Sequence, residues 1–241
     1  MTTVPTLMPH SRLPRLLYAA LVGLLVVLVG AATLILAHEW GTRWSPRHVV
    51  RGSGIEATES RDVPRFGALE VTGASEVTVR VGPEQRVVVT ADDNLIERIT
   101  TDVERGTLVL GTTGSFTTVR PMTVEVTVPT LGAVALTGSG VVTVEDVNAD
   151  QLAVRMPGSG VLTITGTTAQ LDVTLAGSGD VRLEQLVARD IVALLSGSGR
   201  LQVHATRSLD AAVSGAGVIV YRGDPPVVMQ QVSGVGSITR A

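Results

Sequence analysis

The feature that most narrows what this chain can fold into is a ladder of glycine motifs in its second half. Gly-Ser-Gly occurs at 138–140, 158–160, 177–179 and 197–199, and Gly215-Ala216-Gly217 and Gly234-Val235-Gly236 continue the series. The first glycines follow one another at intervals of 20, 19, 20, 18 and 19 residues. Between them lie paired apolar–polar runs, such as Val161 to Ile164 followed by Leu171 to Leu175, and Val181 to Leu183 followed by Ile191 to Leu195. Strand-like units at a period of about 20 residues are the signature of a solenoid, in which no turn buries its apolar face alone and each packs on the next.

Composition agrees with that architecture. Hydrophobic residues make up 44% of the chain but aromatics only 2%, so a large globular core would lack volume, whereas stacked Val, Leu and Ile fill a solenoid. Strand alternation points Leu201 and Val203 inward and Gln202 and His204 outward. The structural corners are assigned to Gly138, Gly140, Gly158, Gly160, Gly177, Gly179, Gly197, Gly199, Gly215, Gly217, Gly234 and Gly236, where positive φ is expected to let the chain turn at the same height on every rung. Ser139, Ser159, Ser178 and Ser198 would then stand in one column at a spacing of about 4.8 Å.

Upstream of the ladder, LEVTG, SEVTVRV, RVVVTA, TLVLG and MTVEVTV between Leu69 and Val128 each read as a short strand, with one weak helical turn near Asn94 to Thr100. The N-terminus differs in kind. Leu16 to Ala37 is 22 residues without a charge, long enough as a helix of about 33 Å to cross a bilayer. Tyr18, Trp40 and Trp44 flank it where interfacial rings belong. Its length and the Ile at position 35 favour a retained anchor over a cleaved signal. Arg12 and Arg15 on one side, against Arg43, Arg47 and Arg51 on the other, leave the orientation open on charge alone. The organisation expected is an N-terminal tail 1–15, a transmembrane helix 16–37, a polar linker 38–64 and a β domain 65–241.

The order of motifs resembles the bacterial auto-transporter adhesin head GIN domain family. The resemblance rests on Phe66-Gly67-Ala68-Leu69-Glu70-Val71-Thr72-Gly73, on Asp93-Asn94-Leu95, on Gly106 to Leu110, on Val124 to Pro129 leading into the glycine ladder, and on the closing Tyr221-Arg222-Gly223-Asp224-Pro225. It implies an all-β solenoid on the outer side of the bacterial cytoplasmic membrane, hence N-terminus in, with an adhesin-like binding or structural role. It brings no catalytic residues. Many members carry a cleaved signal or a lipid anchor, whereas this chain keeps an apolar helix.

The remaining chemistry is sparse. There is no Cys, which excludes disulfides, thiolate metal sites and a cysteine nucleophile. All 19 basic residues are Arg, against 22 acidic ones, a net charge of −3 that with so few aromatics argues against nucleic-acid binding. Aligning the repeats puts Glu145, Thr165, Glu184, His204 and Arg222 in one outward column, where two carboxylates two rungs apart would suit sugar hydrolysis, but no aromatic platform accompanies them. Asp180 after a Gly-Ser-Gly resembles a β-roll calcium position, yet its equivalents are Val141, Val161, Arg200 and Val218. His204 has no partner at ligand spacing. No catalytic, cofactor-binding or metal-ligating residue is assigned. The reading is a single-pass, membrane-anchored extracytoplasmic β-solenoid that meets the bilayer through residues 16–37 and binds a cell-wall, glycan or protein ligand. The alternatives are a self-assembling scaffold or sensor module, for which exposed apolar end rungs would stack, and, more remotely, a carbohydrate-active enzyme.

Overall fold

The computed structural model describes residues 49–241. The tail 1–15, the apolar segment 16–37 and the start of the linker lie outside the described residues. Among the described residues no helix is long and apolar enough to cross a membrane.

Val- and Thr-rich runs favour extended backbone, because β-branched side chains are stiff in a helix and pack well on a pleated surface. Ten short strands come first: β1 (Val50–Arg51), β2 (Glu56–Arg61), β3 (Ala68–Val71), β4 (Glu76–Val81), β5 (Arg86–Asp92), β6 (Ile99–Glu104), β7 (Thr107–Thr112), β8 (Phe116–Thr117), β9 (Thr123–Val128) and β10 (Ala133–Leu136). Four long strands follow, β11 (Val141–Met156), β12 (Val161–Leu175), β13 (Asp180–Leu195) and β14 (Arg200–Val213), and then β15 (Val218–Arg222), β16 (Val227–Val232) and β17 (Ser237–Arg240). Each long strand is one turn of a β-solenoid and pairs in parallel with the next.

The register stacks like on like. On one leg Leu162, Val181, Leu201 and Ile219 form a column, and on the other Leu152, Leu171, Ile191 and Leu209 do, all buried. Differences in rung length are absorbed between the legs. Register shifts fall between Leu183 and Val187 and between Ala188 and Asp190, where β13 and β14 spend unequal numbers of residues on the bend. A shift there leaves the apolar columns undisturbed, whereas a one-residue slip within a leg would turn its core side chains to solvent.

The N-terminal end departs from the repeat. Beyond β4 and β3 the parallel ladders run into antiparallel strands, β9–β5–β2 on one side and β7–β6 on the other. The helical turn expected near Asn94–Thr100 is a three-residue 3₁₀ turn, Ile96–Arg98. It helps close this end of the core, since Leu95, Ile96 and Ile99 are all buried and Arg61 donates to the carbonyl of Ile96.

The linker reading of 38–64 is corrected over its described part. Residues 50–51 pair with β8, and Glu56–Arg61 pairs along its whole length with β5. β2 carries polar residues on both faces, so its sequence shows no alternation, and it is recruited by the backbone groups of an edge rather than by an apolar face.

Candidate functional site

The glycine motifs form a continuous column that begins one turn earlier than the repeat suggests, at Gly73-Ala74-Ser75. An added Cβ on Gly138 would sit 2.0 Å from the Gly73 carbonyl oxygen, on Gly158 2.2 Å from that of Gly138, on Gly177 1.8 Å from that of Gly158 and on Gly197 1.9 Å from that of Gly177. The second glycines are as crowded, with Gly160 2.1 Å from the Gly140 carbonyl and Gly199 2.3 Å from that of Gly179. This revises the expected reason for the glycines. Of the twelve assigned corners only Gly234 has positive φ; the others are small because the carbonyl of the rung below occupies the space a Cβ needs.

Close stacking leaves the intervening side chains on the outside. Ser139, Ser159, Ser178 and Ser198 are exposed. Together with Gly160, Gly179, Asp180 and Arg200 the last three serines line a groove of about 380 Å³ running across the rungs. Asp180 is held by Arg182 at 2.8 Å within its own strand and lies between Val161 and Arg200 in the ladder, so the calcium spacing supplies no stack of oxygen ligands. Among the described residues no group of three or more His, Asp or Glu side chains is placed to hold a metal ion.

The outward column predicted from the glycine alignment is broken by the bends. Glu145 lies beside Arg80, with Arg80 Nη2 donating to its carboxylate at 2.6 Å. Thr165 is opposite Gln185 rather than Glu184, and His204 is opposite Val187 on one side and Arg222 on the other. Only His204 and Arg222 are direct neighbours among the five. The two carboxylates therefore do not face a common cleft: one is neutralised by an arginine and the other stands at a bend where the register slips.

On the leg before each glycine motif, a second cleft of about 330 Å³ is lined by Gln170, Asp172, Asp190, Asp210 and Met229, among others. Gln151 donates to Gln170 across the rungs at 2.7 Å. Asp190 accepts from Arg207 Nε and from Ser208 Oγ, each at 2.6 Å. The Arg207 hydrogen bond, then that of Ser208, pulls its carboxyl down to about 2 against the opposing effect of burial. The Gln151–Gln170 bond and the Asp190–Arg207–Ser208 cluster stitch adjacent rungs together.

Sequence reasoning missed Asp92, the one fully buried carboxylate among the described residues. Its oxygens accept from the backbone N–H groups of Gly54 and Val119, both at 2.9 Å. The Val119 bond, then those of Gly54 and Arg120, holds the carboxyl below its usual range although burial works the other way. Gly52-Ser53-Gly54, which looks like flexible linker in sequence, is thereby docked: a Cβ on Gly52 would lie 2.0 Å from Asp92 Oδ2, and Gly54 has φ +81. The Asp92-Asp93-Asn94 run was a visible signal, since Asn94 and Asp93 bind Ser53 as well.

The fold can now be set beside known proteins. The family described as "Putative auto-transporter adhesin, head GIN domain" matches residues 65–225, and the chain belongs to it. The structure is similar to that of a "putative adhesin" from Bacteroides fragilis NCTC 9343, with TM-score 0.65 and 24% identity over 80% of this chain and 100% of that one. It is also similar to a "putative lipid binding protein" from Parabacteroides distasonis ATCC 8503, with TM-score 0.53 and 22% identity over 80% of this chain and 99% of that one. At such identities the likeness is one of fold. No curated protein matches the sequence. Neither the family nor these two neighbours is described as an enzyme.

Proposed function

We propose that the protein is a non-catalytic binding module, anchored by residues 16–37 in the bacterial cytoplasmic membrane, with its solenoid held on the outer side. Membership of an adhesin-described family and the 22-residue uncharged segment ahead of the solenoid support this reading. The observation that carries it is the groove over the glycine column, where Ser159, Ser178 and Ser198 stand exposed on a backbone without side-chain bulk. Hydroxyls repeated at the rung spacing, with Asp180 and Arg200 beside them, suit a linear polar ligand such as a wall glycan or an extended peptide.

Two experiments test it. Protease shaving of intact cells carrying a C-terminal tag removes the tag if the solenoid faces outward; survival of the tag until lysis sinks the placement. Isolated wall fragments should retain the protein and lose the Ser178→Tyr variant, in which a ring fills the groove while the circular dichroism spectrum is unchanged. Equal retention of the two would remove the groove as the binding face.

A further inference from the structure

The two ends of the solenoid differ in a way that selects a partner. At the N-terminal end the last strands are charged and polar. β2 carries Glu56, Glu59 and Arg61, with Glu56 paired to Arg120 and Arg61 to Glu59, and β6 carries Asp102 and Glu104. Charged edge strands resist pairing with another chain. The core behind them is closed by buried Leu95 and Ile96.

At the C-terminal end β16 reads Val-Val-Met-Gln-Gln-Val, uncharged, exposed along its length and paired only with β14. Val228 and Val232 continue the buried columns of Leu209 and Val213 but are themselves 38% and 48% exposed. Ile238 of β17 continues the column of Ile219 and is only partly covered. Val227, Met229 and Val235 add further exposed apolar surface at the same end. Exposed apolar residues along an unpaired β edge mark an interaction surface.

We infer that this rung joins a second copy of the chain, tail to tail about a two-fold axis, so that both legs of the solenoid continue across the junction. On the other leg β17 ends in Arg240, in register with Tyr221 and held by Asp224 at 3.0 Å. Two-fold closure brings the same unprotected edge from each copy. The inward positions of β16 are Val228, Gln230 and Val232, a sequence symmetric about Gln230. Antiparallel pairing centred there sets Val228 over Val232 of the other copy, extending two apolar columns, and lets the two Gln230 amides bond to each other. Any register shifted by one residue would set inward side chains against outward ones. Six residues of β16 and four of β17, at about 3.3 Å each and about 10–12 Å deep, give roughly 350–400 Å² per copy, or about 700–800 Å² for the pair. That is below the standard size of specific interfaces and corresponds to a reversible, concentration-dependent dimer rather than an obligate one.

The absence of Cys makes the test direct, since each substitution introduces a single thiol. Directly opposed residues in an antiparallel pair have Cα atoms about 4.5–5.5 Å apart, within disulfide range. In membranes holding the full chain, mild oxidation of Gln230→Cys should give about tenfold more covalent dimer than Glu59→Cys on the N-terminal edge. Val228→Cys and Val232→Cys should each cross-link poorly alone and well when co-expressed, because the axis opposes 228 to 232. Equal yields from Gln230→Cys and Glu59→Cys overturn the interface, and efficient cross-linking of Val228→Cys alone overturns the register. A detergent-solubilised wild-type chain that sediments as a monomer at about 100 µM overturns the dimer. None of these residues lines the serine groove, so loss of ligand binding and loss of dimer are read separately.

Discussion

Gly177 offers the sharpest perturbation of the ladder. Replacing it with Ala adds one carbon 1.8 Å from the Gly158 carbonyl oxygen and 2.9 Å from that of Pro157. Ordinary contact begins near 3.4 Å, so the rungs must part by about 1.6 Å locally. The ladder bonds on either side, Ala176 to Met156 and Asp180 to Gly160, are both 3.1 Å and would be stretched past bonding distance. Two lost hydrogen bonds at about 1 kcal/mol each and about 1–3 kcal/mol of overpacking strain give a destabilisation of about 3–5 kcal/mol. Against the usual 5–15 kcal/mol of a folded domain this is a large fraction. With an m-value of about 2–3 kcal/mol/M, the urea midpoint followed by far-ultraviolet circular dichroism should fall by about 1–2 M. Gly67→Ala is the control: its Cβ would meet nothing nearer than 4.0 Å at an ordinary φ, so its midpoint should stay the same or rise slightly. Equal midpoints for the two variants would refute the close-approach account of the ladder.

Asp92→Ala removes the acceptor for Val119 and Gly54 and releases the segment that precedes β2; the melting temperature should drop by about 5 °C or more, with proteolysis appearing near residues 52–54. Asp190 has its carboxyl lowered to about 2, so its contribution to stability is present above the unfolded value near pH 4 and is lost as pH falls from about 4 toward 2. The difference in urea midpoint between wild type and Asp190→Asn should therefore narrow steadily over that window; a difference independent of pH would show that the Arg207 pairing does not matter. Arg80→Ala breaks an ion pair whose arginine side chain is 61% exposed, and should leave the melting temperature within about 2 °C.

The repeat illustrates how physics divides between the chain and its fold. Period, strand content and the inward placement of Leu201 and Val203 were legible because alternation and glycine spacing are local properties of extended backbone. The spacing also located the twelve glycines, but their reason was not local. It is a carbonyl of the rung below, brought to 1.8–2.6 Å from where a Cβ would stand, and one rung's sequence contains no trace of it. The predicted Glu145–Glu184 alignment failed for a related reason: counting from the glycines assumes rungs of equal length, while the bends absorb the differences between them.

The sequence by itself therefore determined the solenoid, its rung length and which side chains line its core, since these follow from period-two alternation repeated at near-constant spacing. Only the tertiary structure decided how the stack is closed at one end and left open at the other. β2 and β6 show too little apolar alternation to be read as strands, and they become so because an unpaired ladder edge offers them backbone partners. Asp92 becomes a buried anchor only in the fold, because three N–H groups from two distant segments converge on it. Val228 and Val232 continue the columns of Leu209 and Val213 yet stand exposed, because those columns have no further rung above them among the described residues. Long-range backbone pairing, which depends on where chain segments meet rather than on what each one prefers, made these decisions.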